Sequence, residues 1–415
     1  MKIAIIGGGI SGLMAAHLLC GEHEITLFEA NDYLGGHTNT LDVQHDGRQY
    51  AVDTGFIVFN ERTYPNFIKL LERLGVPSQP SVMSFAVVCL ASGLQYSATN
   101  LDTLFAQRKN LLSLPFWRML LEILRFNRAS AELYRSSDMS LTLGEYLQAH
   151  GYSKMFIEKF LLPMGAAVWS ADPGQFLKFP AAAFVQFFTN HGMLDIFDQP
   201  TWRVVQGGSR QYVEPLARPF RDRLRLSAPV EKVQRFTDRV TVTQRGGDSE
   251  IFDQVIMACH SDQALAMLAD PSDAERELLG AIPYQKNDTV LHTDSRLLPG
   301  ISKACASWNC LLPRTEQGGV ALTYWMNLLQ TISAPVDFCV TLNSPEAIDH
   351  GSIIRRLVYH HPVYSTAAFE AQKRWGEISG VNRTSFCGAY WGWGFHEDGV
   401  KSALAVCRQF GKGLS

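Results

Sequence analysis

The N-terminal stretch constrains the fold most, because a short apolar strand runs into three consecutive glycines and then into a helix. In KIAIIGGGISGLMAAHLL, residues 3–6 are wholly apolar, as expected of a strand buried in a parallel sheet. Gly7 allows a tight turn, Gly9 lets a pyrophosphate approach the backbone, and Gly12 lets the helix pack on the strand. The next strand, HEITLFEA, ends near Glu29, whose carboxylate suits ribose hydroxyls. The spacing predicts a dinucleotide site that binds phosphate at the helix N-terminus.

Composition narrows the class of protein. The 37 Lys and Arg residues nearly balance the 40 Asp and Glu residues, so the net charge of −3 favours no nucleic-acid partner. The eight cysteines are scattered without C-x-x-C pairs, which predicts reduced thiols and a cytoplasmic protein. No apolar run approaches the ~20 residues of a spanning helix, and no His or Cys spacing predicts a metal site. We expect a large globular chain with no metal.

A second glycine pair bears on which dinucleotide the site binds. ANDYLGGHTNT places Gly35 and Gly36 shortly after the second strand, and YAVDTGFIVFN follows. These segments resemble the flavin amine oxidase superfamily, which includes carotenoid-desaturase-like and protoporphyrinogen-oxidase-like enzymes. The resemblance implies FAD, held non-covalently, with the glycine pair beside its diphosphate. That family usually continues with Arg, whereas this chain has His37, a phosphate contact without a permanent charge. The resemblance implies further FAD contacts at Ser11, Thr38, Gly55, Phe56 and Val230.

The C-terminal segment GAYWGWGFHEDGV fits the last FAD contact of that family. We expect a strand over 385–387, a turn at Gly388, and a helix from about Gly399 whose N-terminus faces the flavin. Tyr390 and Trp391 are expected to line the ring or the substrate space, and His396 is the first candidate for proton transfer, with a structural histidine as the alternative. The resemblance also implies cofactor contacts at Glu397, Asp398, Gly399 and Val400; helix capping is the competing interpretation of the two acids.

The same resemblance predicts an α/β fold in which a Rossmann-like FAD-binding domain of amine-oxidase type is interleaved with a mixed α+β substrate domain. We assign residues 1–60, 205–285 and 380–415 to the FAD-binding domain. Residues 61–204 and 286–379 form the substrate domain, with a helical subdomain at about 100–185.

The substrate side is less constrained. FLKFPAAAFVQFFTNHGMLDIFDQPTW is apolar and aromatic, which suits either a hydrophobic substrate pocket or a plain core. Amine oxidases of the family often place a lysine near flavin N5, where a rough alignment puts Thr289, with Lys286 three residues earlier. In residues 101–128 leucines and aromatics alternate with arginines. That pattern suits a peripheral contact with the inner membrane surface or an ordinary domain helix, and Pro115 interrupts it.

Shorter phrases, VLHTD, SWN, YWMN and GAYWGWGFHEDG, look like a narrower group: flavoproteins associated with cyclopropane-fatty-acid synthase-like methyltransferases. This implies an FAD-dependent oxidoreductase on an unsaturated, methyl-branched or cyclopropane acyl chain of membrane lipid, with hydride transfer to or from flavin N5. One alternative is an amine oxidase on a small or polyamine substrate. The other is a non-catalytic, flavin-bearing partner of a lipid methyltransferase.

Overall fold

A parallel sheet organises the nucleotide-binding side of the chain. The structure is a computed structural model that describes residues 1–136, 138–169, 176–194, 199–314 and 320–414. Five parallel strands lie in the order β10-β2-β1-β14-β20, from three separate parts of the chain. They are β1 (Lys2–Ile6), β2 (Glu24–Phe28), β10 (Leu224–Arg225), β14 (Gln254–Met257) and β20 (Thr384–Phe386). The apolar run of β1 is buried because helices pack on one face of the sheet and apolar side chains from residues 230–252 pack on the other.

A mixed sheet of seven strands carries the other half of the molecule. Its order is β19-β15-β18-β17-β16-β7-β8, and the pair β16–β7 is parallel while its other pairs are antiparallel. The strands are β7 (Phe85–Cys89), β8 (Leu94–Ser97), β15 (Tyr284–His292), β16 (Trp308–Leu312), β17 (Ala321–Trp325), β18 (Cys339–Leu342) and β19 (Ile353–Pro362).

Three small antiparallel sheets complete the strand inventory of the described chain. The first pairs β3 (Thr40–His45) with β4 (Arg48–Asp53). The second joins β5 (Val58–Asn60), β9 (Trp202–Val205) and β6 (Ser78–Pro80). The third is β11 (Val230–Arg235), β12 (Val240–Gln244) and β13 (Ser249–Phe252).

The helices separate into two groups. Those around the parallel sheet or between its strands are α1 (Ile10–Leu19), α2 (Pro65–Leu74), α9 (Val213–Ala217), α10 (Ser261–Met267), α11 (Asp273–Gly280), α13 (Thr366–Lys373) and α14 (His396–Gln409). The others are α3 (Leu101–Leu104), α4 (Leu114–Ser136), α5 (Leu143–Ala149), α6 (Lys154–Phe156), α7 (Leu162–Trp169), α8 (Ala181–Asn190) and α12 (Met326–Leu329). The α/β architecture expected from the sequence is confirmed. The domain boundaries stay a prediction.

The basic stretch is divided where Pro115 predicted a break, because residues 101–104 and 108–112 form short separate helices and the 23-residue helix α4 begins at Leu114. Pro115 lies in the first turn of α4, where its missing N–H has no helical partner to lose. Helix α14 begins at His396 rather than near Gly399, and the last strand is Thr384–Phe386. None of the helices in the described parts of the chain has the length and apolar character needed to cross a membrane.

Candidate active site

The glycines in the turn between β1 and α1 serve two different purposes. A Cβ atom on Gly7 would lie 2.6 Å from the carbonyl oxygen of Ala258, and one on Gly12 would lie 1.9 Å from that of Gly7. These two glycines are required by packing. Gly9 has an ordinary φ of −75°, and a Cβ there would meet no atom within 4 Å. A glycine at position 9 therefore leaves room for a bound group.

Glu29 lies where β2 ends, against this turn. Its Oε2 accepts a hydrogen bond from the Gly8 N–H at 2.7 Å, and its Oε1 accepts two from Asn31. The Glu29 carbonyl accepts from the Ala228 N–H at 2.9 Å, which brings the start of β11 and Val230 beside the carboxylate. The acid and the strand that the family pattern assigns to ribose and adenine thus lie together.

The second glycine pair lies directly on the first. The Gly35 N–H donates to the Gly8 carbonyl at 2.8 Å, and a Cβ on Gly36 would lie 3.3 Å from Gly9 Cα. The following carbonyl, of His37, accepts from the Phe56 N–H at 2.7 Å, and a Cβ on Gly55 would lie 2.2 Å from that same oxygen. Gly9, Gly36 and Gly55 therefore let three separate segments approach one another closely.

Three partly buried histidines converge at this edge of the parallel sheet, and we name His37, His260 and His361 the histidine cluster. The His37 ring centroid lies 6.2 Å from that of His260 and 5.3 Å from that of His361. Burial lowers the pKa of His37 and His260 to about 4 and that of His361 to about 3, and the neighbouring imidazoles act in the same direction. All three rings are neutral near pH 7. His37 Nε2 is buried without a partner among the described residues.

The N-terminus of helix α14 lies at the same site, and the two acids in its first turn accept hydrogen bonds from the protein itself. The Asp398 carboxylate accepts from the backbone N–H groups of Trp393 and Phe395, both at 3.0 Å, so it caps its own helix. Burial raises the pKa of Asp398 to about 6. Glu397 accepts from the Phe67 N–H at 2.9 Å and from Asn66, so it caps α2 instead. The capping interpretation describes both contacts; a contact with the cofactor stays a prediction.

His396 is enclosed by aromatic rings. It stacks on Phe56 with centroids 3.6 Å apart and an interplanar angle of 2°. Its Nε2 lies 2.6 Å from the Tyr212 hydroxyl and 3.0 Å from that of Thr38, which is itself 2.5 Å from Tyr212. Burial lowers the pKa of His396 to about 3, with a further contribution from His37. With this low pKa the imidazole is neutral near pH 7, so it is neither an imidazolium acid nor a strong proton acceptor there.

The N-termini of α1 and α14 meet across this site. Ser11 Oγ donates to the Gly399 carbonyl at 2.9 Å, and a Cβ on Gly399 would lie 2.7 Å from Ile10 Cγ2. Val400, the next residue, is fully buried. No side chain caps the N-terminus of α1, and its first turn holds no acid. Two converging positive helix ends suit an anionic diphosphate.

Polar atoms in the loop before α14 lack partners in the described protein. The Gly388 N–H donates a hydrogen bond to Ser402 Oγ at 2.9 Å. Tyr390 and Trp391 follow, with ring centroids 5.1 Å apart. The Tyr390 hydroxyl, the Trp391 Nε1 and His37 Nε2 are all buried and unpaired in this structure. Buried polar groups normally have partners. Together with the space at Gly9, these atoms fit a bound dinucleotide.

Other polar residues in and just after β15 lie away from this site. His292 Nε2 is 2.7 Å from Thr341 Oγ1, and Asp294 binds Arg296; both lie at the far end of β15 from the histidine cluster. Thr289 is fully buried. Lys286 is exposed and paired with Asp288 at 3.0 Å. No described group of His, Cys, Asp and Glu residues has the arrangement of a metal site.

Sequence reasoning missed several contributors. Tyr212 was not singled out, although it lies shortly after the glycine pair Gly207 and Gly208. Asp53 was also missed; burial raises its pKa to about 6, and it accepts from Ser209 and Gln330. His260 lies three residues after the end of β14, which was the available signal. The partners of these groups come from distant parts of the chain.

Comparison with known proteins agrees with this geometry. Residues 10–298 match the family model described as flavin containing amine oxidoreductase. A putative flavin-containing monoamine oxidase of Mycobacterium tuberculosis is 25% identical over 281 residues, which cover 65% of this chain and 59% of that protein. The match thus spans less than two thirds of the relative's length.

Solved structures share the fold over nearly the whole chain. A CLA-producing fatty acid isomerase from P. acnes has a TM-score of 0.70 at 18% identity and covers 98% of both chains. Cyclohexylamine oxidase from Brevibacterium oxydans IH-35A has a TM-score of 0.70, also at 18% identity, and covers 99% of both. With the family match, the glycine turn and the paired helix ends, this chain belongs to the flavin-containing amine oxidoreductases, and its cofactor is FAD.

Proposed function

We propose that this FAD-dependent oxidoreductase acts on a hydrophobic substrate, an unsaturated, methyl-branched or cyclopropane fatty acyl chain of membrane lipid. FAD supplies the hydride acceptor or donor for such a reaction. Gly9, Glu29 and the N-termini of α1 and α14 would hold it. The protein's own task is then to align a carbon chain, exclude water and avoid charge near the reacting carbon.

The observation that carries the proposal is an uncharged aromatic wall beside the loop that precedes α14. Phe187 of α8 stacks on Phe395 with centroids 4.9 Å apart, and its ring lies 5.8 Å from Trp393. Neither α8 nor the segment 388–395 contains a charged residue. Apolar and aromatic walls of this kind recognise hydrocarbon.

The charged groups that an amine substrate would use are engaged elsewhere. Glu397 and Asp398, the acids next to the wall, accept backbone N–H groups at the starts of two helices. Lys286 is 59% exposed and paired with Asp288, while Asn287 and Thr289 of the same strand are buried. The amine-oxidising lysine expected from the resemblance therefore has no counterpart facing inward at these positions. The fold shared with a fatty acid isomerase is compatible with an acyl substrate.

Anaerobic spectroscopy of the purified holoenzyme tests the proposal. Oxidised enzyme is mixed with phospholipids bearing saturated or methyl-branched chains, and photoreduced enzyme with phospholipids bearing unsaturated or cyclopropane chains. We expect bleaching in the first mixture or return of the visible flavin band in the second, with no response to mono- or polyamines. A response to amines alone would overturn the proposal in favour of an amine oxidase. No response to lipid in either direction would leave the non-catalytic partner as the better account.

A variant at Lys286 separates the two enzymatic candidates. Because its ammonium points to solvent, Lys286→Met should change turnover with the responding lipid by less than twofold. Loss of turnover in Lys286→Met would mean that this lysine takes part in the chemistry, as in an amine oxidase.

A further inference from the structure

The helical part of the molecule presents an apolar stripe to solvent. We name Leu112, Leu114, Trp117, Leu121 and Leu124 the outer stripe. Leu112 is 91% exposed, Leu114 82% and Leu121 65%. Eight of the eighteen large apolar side chains that are exposed in the described chain lie within residues 101–134, so the exposure is concentrated rather than scattered.

Helix α4 has two apolar faces, and only one belongs to the core. Phe116, Met119 and Phe126 are buried, and Phe126 lies 6.4 Å from Phe184 of α8. The four members of the outer stripe that belong to α4 are Leu114, Trp117, Leu121 and Leu124. They recur at intervals of three and four residues, so they share a second face of the helix. On this second face Trp117 contacts Phe105, with ring centroids 5.0 Å apart, whereas Leu114 and Leu121 stay largely exposed.

Cations surround the stripe. Residues 101–136 contain six Lys and Arg residues and three acids, a net +3 in a chain whose total is −3. Asp102 is engaged by Arg108 and Lys303, and Glu122 by Arg118. Lys109, Arg128 and Arg135 are exposed and make no ion pair with a described residue. An exposed apolar stripe among cations matches an anionic bilayer, which offers hydrocarbon below a layer of phosphate.

A surface cavity adds depth beside the start of the stripe. It has a volume of about 410 Å³ and is lined by Leu114, Pro115, Arg118, Ser153 and Met155. Its lining is largely apolar and includes the guanidinium of Arg118. Such a lining is complementary to an acyl chain that lies beneath a phosphate.

We propose that the outer stripe and its cations are the surface by which this protein binds the face of an anionic lipid bilayer. The stripe inserts among the headgroups, and the cations contact lipid phosphate. Because α4 packs on α8 through its opposite face, the bound bilayer would lie across α4 from the aromatic wall. The inference extends the proposed acyl-lipid substrate, yet vesicle binding is measured without turnover, so either proposal can fail alone.

Vesicle flotation of the holoenzyme tests the surface. We expect binding to phosphatidylcholine vesicles that contain phosphatidylglycerol, and at least tenfold weaker binding to phosphatidylcholine alone or at high salt. Leu112→Glu with Leu121→Glu, and separately Lys109→Glu with Arg128→Glu, should each weaken binding at least tenfold. These four side chains are exposed, so the folded state should be retained. Ile251→Glu, at a 58% exposed residue of β13, is the matched control and should bind as the unmodified protein does.

Three outcomes would overturn the inference: no binding to anionic vesicles, binding that neither pair of substitutions weakens, or equal loss in the Ile251→Glu control. Light scattering distinguishes a second copy of the chain as the occupant. A dimer that the Leu112→Glu, Leu121→Glu variant dissociates, without vesicle binding, would make the stripe a protein interface instead.

Discussion

A comparison of two glycine substitutions separates the cofactor site from the fold. Gly9→Ala adds a Cβ that meets no atom of the protein within 4 Å, at a backbone conformation that any residue adopts. Gly12→Ala adds the same atom 1.9 Å from the backbone oxygen of Gly7. The first change should affect flavin binding without harming the fold, and the second should harm the fold itself.

The effects on stability follow from these distances. At Gly9, the gain of about 0.4–1 kcal/mol from restricting the unfolded chain is offset by the loss of a favourable N-cap residue, about a few tenths of a kcal/mol or more. The net change in the free energy of unfolding of the flavin-free protein should stay within about 0.5 kcal/mol. At Gly12, the overlap forces α1 away from the turn and should cost about 1–3 kcal/mol or more.

For the affinity for FAD the order of the two variants is expected to reverse, with the larger loss in Gly9→Ala. A methyl group at Gly9 fills the space that we assign to the diphosphate and lengthens at least one hydrogen bond from a backbone N–H to a charged group. Such a bond is worth about 1.5–3 kcal/mol, so the Kd for FAD should rise about 10- to 150-fold.

Two measurements on each flavin-free variant decide the matter: urea unfolding, and titration with FAD followed by quenching of flavin fluorescence. A Gly9→Ala protein that binds FAD as tightly as the unmodified protein would refute our placement of the diphosphate. A Gly9→Ala protein that loses several kcal/mol of stability would show that Gly9 serves the fold, so its weaker flavin binding would be uninformative.

Three further predictions concern the surroundings of the flavin. Below about pH 6.5 the unfolded state binds protons that the histidine cluster excludes, so the flavin-free protein should lose stability as pH falls towards about 4. That loss is about 2 kcal/mol per imidazole at pH 5. It is partly offset by Asp53 and Asp398, because their raised pKa values stabilise the folded state as the pH falls. An unfolding midpoint that is unchanged at pH 5 would contradict the neutral assignment. Glu397→Gln should lower stability by about 1 kcal/mol through the cap of α2 and leave the Kd for FAD unchanged, whereas the reverse result would make Glu397 a flavin ligand. Trp391→Ala should retain FAD and reduce turnover at least tenfold, and normal turnover would make this ring purely structural.

Local spacing explains what the sequence could predict. The strand, turn and helix around Gly7, Gly9 and Gly12 are contiguous, and Glu29 follows at a distance set by one helix and one strand, so neighbours in sequence are neighbours in the site. The family pattern extended this to Gly36 and to the last helix. Each of these segments contributes a short stretch whose conformation depends mainly on its own residues.

Long-range packing explains what it could not. The histidine cluster joins residues more than two hundred positions apart, and the Tyr212 contact to His396 joins residues 184 apart in sequence. The start of α14 was misplaced because Asp398 caps from inside the first turn, so an acid that suggested the residue before a helix is in fact the third residue within it.

The strand β15 shows why position along the sequence is a poor guide to which side chain faces a site. Successive side chains of a strand point to opposite faces, so a shift of one residue exchanges an inward group for an outward one. Asn287 and Thr289 are buried, and Lys286 is exposed although it is adjacent to the first of them. A lysine one residue further along would have pointed inward, where Asn287 lies 2.7 Å from His361 Nδ1. At the position where the resemblance places the lysine of amine oxidases, this chain therefore has the buried hydroxyl of Thr289, and Lys286 of the same strand is exposed.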